Sequence, residues 1–294
     1  MKVAVLGANG QLGQDVAAAY IAAGDEVFAL THQHLTIESL ESVKQALQDI
    51  RPEVVVNTAA FHHVERCETE TERAFEVNAL GARNVALASA ALGSKLVQIS
   101  TDYVFDGAKN APYVEEDMPR PLNVYANSKL AGEYFVRGAN PRHFVMRVSA
   151  IYGLHPCRAK GGLNFVDTML KLAQERDRLR VVNDEFVSPT STVEIARQVV
   201  ALGRTEEYGL YPATAEGSCS WYEFAQTIFE LTATRVALEP ALPGEFGTKV
   251  TRPKYSVLEN RALKNRSLNL FGHWKDGLKA YLAAREKAHA VART

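Results

Sequence analysis

The chain begins with a short apolar segment that leads directly into a glycine-rich turn and then into an amphipathic helical pattern. Residues 2–6 are followed by Gly7-Ala8-Asn9-Gly10-Gln11-Leu12-Gly13, a G-x-x-G-x-x-G turn. Glycines let the backbone approach a pyrophosphate, whose charge is held by free N–H groups and by the positive end of the helix dipole. We therefore interpret this segment as a dinucleotide-binding turn. Its candidate cofactor contacts are Gly7, Asn9, Gly10, Gln11, Leu12 and Gly13.

The rest of the first half alternates short β-branched segments with longer helical patterns, which is typical of βαβ units. Buried strands are predicted at 2–6, 26–30, 54–57, 95–100 and 144–148. The alternation predicts an α/β fold with a Rossmann-like, doubly wound parallel sheet in residues 1–151. Residues 152–294 are predicted to form a smaller, mainly substrate-binding C-terminal domain, and some of their segments are expected to return to the sheet. Helices are predicted there at 164–176, 192–202, 220–232 and 273–287, the third marked by an S-x-x-E capping box.

Charge and composition narrow the class of partner. The chain has 33 basic and 34 acidic residues, which are interspersed, so no basic face indicates nucleic acid. No apolar run approaches the length that crosses a membrane. The three cysteines are far apart and form no CxxC pair, which indicates neither a disulfide framework nor a metal site. We therefore expect a cytoplasmic protein whose partners are small molecules.

A tyrosine and a lysine lie four residues apart in Tyr125-Ala126-Asn127-Ser128-Lys129. On a helix this spacing puts both side chains on one face, where the ammonium is expected to lower the tyrosine pKa. Thr101 follows the fourth predicted strand, and ligands of open α/β sheets collect at the carboxyl ends of the strands. A hydroxyl there can orient a carbonyl group while the tyrosine delivers a proton. Thr101, Tyr125 and Lys129 are therefore the candidate catalytic residues for hydride-transfer chemistry.

The end of the second predicted strand lacks the acidic residue that usually binds the adenosine ribose of NAD. The strand runs instead into Thr31-His32-Gln33-His34. Hydroxyl and imidazole groups suit either a ribose hydroxyl or a 2′-phosphate. The cofactor is accordingly expected to be NADPH or NADH, with Thr31 among its contacts.

With these motifs, the chain resembles the extended short-chain dehydrogenases/reductases, and within them the dTDP-4-dehydrorhamnose reductases. The likeness covers nearly the whole length and is carried by the glycine-rich turn and by residues 51–60, 100–107, 121–125 and 129–133. It implies NAD(P)H-dependent reduction of the 4-keto group of a nucleotide-diphospho-deoxysugar. It adds Thr36, Ile37, Ala59, Ala60, Phe61, Tyr125 and Lys129 to the cofactor contacts. It implies substrate contacts at His62, Asn78, Thr101, Asp102, Ala150, Asn164 and Arg252.

The chain departs from the family pattern at three positions. Thr36 stands where aspartate is common, His62 where threonine is common, and Ala150 where tryptophan is common. Two other functions therefore stay open, a sugar-nucleotide epimerase and a non-catalytic, nucleotide-binding regulatory subunit. A dehydratase is disfavoured, because Thr101 is followed by Asp102 and Tyr103 and the second carboxylate needed for elimination is absent. A homodimer is expected.

Overall fold

A computed structural model describes residues 1–157, 161–242, 244–247 and 250–291. Its central element is a six-stranded sheet with the strand order β10-β5-β4-β3-β1-β2, in which every neighbouring pair is parallel. The strands are β1 Lys2–Leu6, β2 Glu26–Leu30, β3 Val54–Asn57, β4 Lys95–Thr101, β5 His143–Val148, β6 Ile151–Tyr152, β7 Arg178–Val181, β8 Phe186–Val187, β9 Thr190–Ser191, β10 Gly209–Pro212, β11 Cys219–Ser220 and β12 Ala237–Pro240.

Helices cover both faces of this sheet. They are α1 Gln11–Ala22, α2 Leu40–Ile50, α3 Val64–Thr69, α4 Thr71–Phe75, α5 Ala82–Ala91, α6 Val124–Ala139, α7 Phe165–Glu175, α8 Thr192–Gly203, α9 Trp221–Leu231, α10 Arg261–Asn265 and α11 Trp274–Val291. A π-helical segment, Glu76–Gly81, joins α4 to α5. No helix in the described part of the chain is both long and apolar enough to cross a membrane.

Side chains that alternate along the strands fill two separate cores. Val3 and Val5 of β1 pack with α1 and α8, whereas Ala4 and Leu6 of the same strand pack with α2, α5 and α6. Because side chains of a strand point to opposite faces in turn, strands that are buried on both sides must be apolar throughout. The two cores confirm the predicted doubly wound, Rossmann-like α/β fold.

The structure confirms all five predicted strands, with β4 one residue longer and β5 one residue earlier than expected. The four predicted helices of the second half are also present, and Ser220 and Glu223 form the expected capping box. The sixth strand of the sheet, β10, has no counterpart among the predicted strands. It contributes four residues of the second half to the sheet edge, parallel to β5. The division near residue 151 stays a prediction.

The second half has its own apolar core, built from α7, α9, α11 and β7. Tyr152 and Phe224 lie at its centre, with ring centroids 5.6 Å apart. Small two-stranded sheets join β8 to β11, β7 to β12 and β6 to β9. These elements come after β5 in the chain. Because Val148 at the end of β5 lies opposite Thr101 at the end of β4, they begin at the carboxyl edge of the sheet.

Helix α6 lies unusually close to the π-helical segment. A Cβ atom at Gly132 would overlap the carbonyl oxygen of Asn78, so only glycine fits at this position. The Asn78 side-chain amide also donates to Ser128 Oγ at 3.0 Å. Since Tyr125 and Lys129 lie on α6, this contact sets the position of both predicted catalytic side chains relative to the sheet.

Two glycines of α6 provide a matched test of this packing. We expect Gly132→Ala to lower the free energy of unfolding by about 1–3 kcal/mol, because the added methyl group forces α6 away from Asn78. Gly138→Ala is the control, since nothing lies within 4 Å of a Cβ atom there and alanine favours a helix. Urea unfolding measures both variants. Equal, small effects would show that the close contact is unimportant.

Candidate active site

Parallel strands bring the predicted catalytic and cofactor residues to one edge of the sheet. Gly7 follows β1, Ala59 follows β3, Thr101 ends β4 and Ser149 follows β5. These four strands are adjacent, and all of them end at the same edge. The site is therefore assembled by the sheet order, as expected for ligand binding at the carboxyl ends of an open α/β sheet.

The glycine-rich turn has the shape of a phosphate cradle. Gly7 has a φ of 75°, and a Cβ atom there would lie 2.8 Å from the backbone nitrogen of Ala59. At Gly13 a Cβ atom would overlap the carbonyl oxygen of Gly7. Gly10 precedes α1 without a side-chain cap, and the first turn of α1 has no acidic residue. The first N–H groups of α1 therefore suit a dinucleotide diphosphate.

Gln11 connects this turn to the segment after β6. Its side-chain amide donates to the carbonyl oxygens of Gly153 and His155, at 3.3 and 2.9 Å. Gln11 and Leu12 are buried, whereas Asn9 is half-buried. Gln11 thus fixes a loop of the second half over the cradle.

The loop after β2 brings hydroxyl and imidazole groups to the predicted adenosine end. The Thr31 N–H donates to His34 Nδ1 at 3.1 Å, and the Gln33 N–H donates to Thr31 Oγ1 at 3.3 Å. Residues 31–37 contain no carboxylate. Thr36 donates its N–H to Ser42 Oγ, and Ile37 is buried against Gly81. Residues 31–37 thus lack the charge that repels a 2′-phosphate, and the carboxylate of Glu38 beyond them is paired with Arg73.

Ala59, Ala60 and Phe61 form the wall after β3, and Asn78 holds this wall in place. Asn78 Oδ1 accepts the Phe61 N–H at 2.9 Å, and its amide donates to the Phe61 carbonyl at 2.9 Å. With the bond to Ser128, both ends of the Asn78 side chain are used inside the protein. Asn78 therefore supports the wall, and its hydrogen bonds leave little for a substrate.

Thr101 contacts both Asp102 and Tyr125 at the end of β4. The Thr101 hydroxyl donates to Asp102 Oδ1 at 3.0 Å and accepts the Tyr103 N–H at 3.2 Å. The Tyr125 and Thr101 side chains interact, and this contact lowers the Tyr125 pKa against the larger, opposite effect of burial. The predicted partners Thr101 and Tyr125 therefore lie in direct contact.

Asp102 is buried and accepts two further hydroxyl groups. Ser149 and Ser256 donate to its Oδ2 at 2.8 and 2.5 Å. Burial raises the pKa of Asp102, while the hydrogen bonds from Ser256, Ser149 and Thr101 oppose that rise. The enclosed Asp102 carboxylate therefore orients Thr101. The substrate contact that was expected of Asp102 could be made only by its backbone.

Lys129 lies in a buried environment on the same face of α6. Its Nζ donates to the Ile99 carbonyl oxygen at 2.6 Å. Burial lowers the pKa of Lys129 to about 8, although the nearby Glu133 carboxylate opposes this. Burial also raises the pKa of Tyr125 above its ordinary value. Burial is the largest cause of the Tyr125 shift and Lys129 is not among the causes, so the lowering of the tyrosine pKa by the ammonium stays a prediction.

The predicted sugar-binding positions lie around the end of β5. Ala150 has a φ of 44°, a left-handed conformation that is uncommon for a residue with a side chain. His62 Nε2 lies 3.8 Å from the Cys157 sulfur. Asn164 caps α7 and donates its amide to Gly153 O and Tyr281 Oη, both at 2.9 Å. The Asn164 side chain is thus fully used in the fold, like that of Asn78.

Arg252 lies beside the candidate site and pairs with Glu65 of α3 through one guanidinium nitrogen. Its Nε is buried and has no hydrogen-bond acceptor among the described residues. A buried donor without an acceptor costs about 1–3 kcal/mol. A ligand oxygen that accepts this N–H would remove the cost, so the guanidinium suits an anionic ligand even while Glu65 remains paired.

Sequence reasoning missed Ser149, Ser256 and Glu65. Ser256 lies 154 residues from Asp102 in the chain, and no spacing or motif connects them. Glu65 follows the wall at 59–61 and has no recognisable partner in the sequence. Only the folded chain brings these side chains to the predicted set.

Residues 1–287 match the family model described as the RmlD substrate binding domain. The spore coat polysaccharide biosynthesis protein SpsK of Bacillus subtilis is 40% identical over 287 residues, which cover 98% of this chain and 99% of that protein. A dTDP-4-dehydrorhamnose reductase of Sinorhizobium fredii is 36% identical, with 88% of each chain covered.

Solved structures give the same result. The crystal structure of a dTDP-4-dehydrorhamnose reductase from Clostridium acetobutylicum has a TM-score of 0.93 at 39% identity, covering 97% of this chain and 100% of that one. The Bacillus anthracis dTDP-4-dehydrorhamnose reductase in complex with NADP has a TM-score of 0.92 at 37% identity, covering 96% and 99%. These likenesses confirm the resemblance found in the sequence, and the chain belongs to the RmlD substrate-binding-domain family of the extended short-chain dehydrogenases/reductases.

Proposed function

We propose that this protein reduces the 4-keto group of a nucleotide-diphospho-deoxysugar with NADPH or NADH. The observation that carries the proposal is the contact between the Tyr125 and Thr101 side chains, next to the phosphate cradle at the same sheet edge. Relatives named dTDP-4-dehydrorhamnose reductase, one of them solved with NADP, support the same reaction.

Tyr125 is the proposed proton donor. Because burial raises its pKa, the phenol keeps its proton at neutral pH until a stronger base forms beside it. A nicotinamide bound beside it would supply the hydride to the carbonyl carbon, and Tyr125 would give its proton to the carbonyl oxygen. Thr101, fixed by Asp102 and by the Tyr103 N–H, orients that oxygen toward Tyr125.

Lys129 is proposed to hold the nicotinamide ribose and to stabilise the phenolate that proton donation leaves behind. Its ammonium is four residues from Tyr125 on the same helix, so the two charges share one face. With a pKa of about 8, Lys129 is charged at neutral pH and loses its charge as the pH rises through that value. The affinity of the protein for its cofactor is therefore expected to fall at alkaline pH.

Arg252 is the proposed contact for the substrate diphosphate. A guanidinium can bind a diphosphate through paired hydrogen bonds. The buried Nε, which has no acceptor in the described residues, supports this role. Glu65 competes for the same side chain, so we expect the diphosphate to share Arg252 with it. A cytoplasmic location and a homodimer belong to the same proposal.

The catalytic assignment is tested by replacing Tyr125 with phenylalanine. Loss of the proton donor is expected to lower kcat by about 10²–10⁴-fold while the NADPH Kd stays close to that of the parent. Tyr134→Phe is the matched control, since Tyr134 lies on the same helix and is 57% exposed. A Tyr125→Phe enzyme within about threefold of the parent would contradict the assignment.

The cofactor preference is tested in a competition assay with both nicotinamides. Because the loop at 31–37 has no carboxylate, NADPH is expected to work at least as well as NADH. Thr31→Asp restores the missing charge and is expected to favour NADH. A parent preference for NADH of more than about a hundredfold would rule this out.

The sugar specificity is tested at Ala150. Alanine leaves space where an indole ring would lie, and His62 fills some of it, so we expect a bulkier or differently substituted sugar than dTDP-4-dehydrorhamnose to be preferred. The measurement is kcat/KM for a panel of 4-keto sugar nucleotides, with the parent and Ala150→Trp. If the parent strongly prefers dTDP-4-dehydrorhamnose and the variant does not improve on it, the Ala150 argument fails. If the parent reduces no member of the panel, the regulatory-subunit reading replaces this proposal.

A further inference from the structure

The row formed by Tyr125 and Lys129 on α6 continues one turn further to a buried glutamate. Glu133 lies four residues after Lys129 and is only 2% exposed. Its carboxylate accepts Arg147 Nε at 2.9 Å and Arg147 Nη2 at 2.7 Å. Ser100 Oγ also donates to it, at 2.5 Å. Three aligned side chains of one helix thus carry a phenol, an amine and a carboxylate.

This carboxylate connects the three elements that form the catalytic set. Glu133 belongs to α6, Ser100 precedes Thr101 in β4, and Arg147 lies opposite Ser100 in the parallel register of β5. The Arg147 guanidinium also lies over the Phe105 ring, 5.0 Å from its centroid. The network therefore fixes the rotation of α6 relative to the end of β4.

Stability alone gives a weak reason for such a pair. Both side chains are 2% exposed, and removing two charges from water costs more than most ion pairs return. Arg147 Nη1 is moreover buried without a hydrogen-bond acceptor in the described part of the chain. Apolar side chains of similar volume often stabilise a core as well or better. A role of Glu133 in positioning the neighbouring Lys129 explains the presence of this buried ion pair, which stability does not explain.

Lys129 needs a nearby negative charge, because its surroundings oppose the ammonium form. On α6 it is flanked by the neutral phenol of Tyr125 and by the Glu133 carboxylate, and the sheet contributes the Ile99 carbonyl. Of the other charged side chains of this part of the core, Arg147 is the counter-charge of Glu133 itself, and Asp102 accepts Thr101, Ser149 and Ser256. Glu133 is the group that opposes the loss of charge on Lys129.

We propose that Glu133 is a positioning residue for the reaction: held by Arg147 and Ser100, its carboxylate keeps Lys129 charged and aligned with Tyr125. This inference rests on the proposed function only for the role of Lys129 toward the nicotinamide ribose. Removing the carboxylate lowers the pKa of Lys129 further, because burial is then unopposed. The ammonium is consequently lost at a lower pH.

The experiment measures NADPH affinity as a function of pH, by nicotinamide fluorescence, so that it needs no sugar substrate. The parent is expected to lose affinity as the pH rises through about 8, and we call this fall the alkaline limb of the profile. Lys129→Met is expected to lack the alkaline limb. In Glu133→Gln the limb moves to lower pH by about one unit. A parent that binds NADPH in this way but reduces no sugar nucleotide would refute the proposed function and leave this inference standing.

Because Glu133→Gln leaves Arg147 buried and unpaired, a second variant is needed in case the first does not fold. Glu133→Met with Arg147→Met removes both charges and keeps the volume, so the fold is expected to survive. Its alkaline limb should still move. Asp25→Asn is the control, since Asp25 is a 3% exposed carboxylate paired with Arg204 and the N-terminus, away from Lys129. If the double variant unfolds like the parent and keeps the parent's limb, Glu133 is merely structural and the proposal is overturned.

Discussion

The close contact between α6 and the π-helical segment determines where the chemistry of this protein can take place. Gly132 has no side chain to keep the two backbones apart. The side-chain oxygen of Asn78 binds Phe61 in the wall, and its side-chain amide binds Ser128 on α6. With the helix fixed in this way, Tyr125 meets the Thr101 hydroxyl at the end of β4. The π-helical geometry is in keeping with such segments, which are often found at functional sites.

Local features of the sequence were sufficient to predict five of the six strands of the sheet and to propose most of the candidate site. The glycine-rich turn, the apolar strands and the Tyr125–Lys129 spacing each depend on neighbours within a few residues, so they can be recognised without the fold. Strand β10 could not be found this way, because its four residues include a glycine and a proline and have no clear alternation. The partners of Asp102 were also out of reach, since Ser149 and Ser256 come from distant parts of the chain.

The pKa of Tyr125 shows what the spacing of Tyr125 and Lys129 does not capture. From spacing alone, the nearest charge to Tyr125 is an ammonium, which favours the phenolate. In the folded chain both groups are desolvated, and desolvation disfavours the charged form of each. Burial is a property of the whole fold and cannot be read from a four-residue interval.

The pairing of β10 with β5 makes the nucleotide-binding sheet inseparable from the second half of the chain. A fragment that ended at residue 151 would leave β5 as an open edge with unpaired N–H and C=O groups. It would also lack α8, whose Ile195, Val199 and Leu202 cover the same core as α1. The sixth strand can therefore join the sheet only after residue 212 has been synthesised. Until α8 is in place, the side chains that it covers form the kind of exposed apolar surface on which misassembly begins.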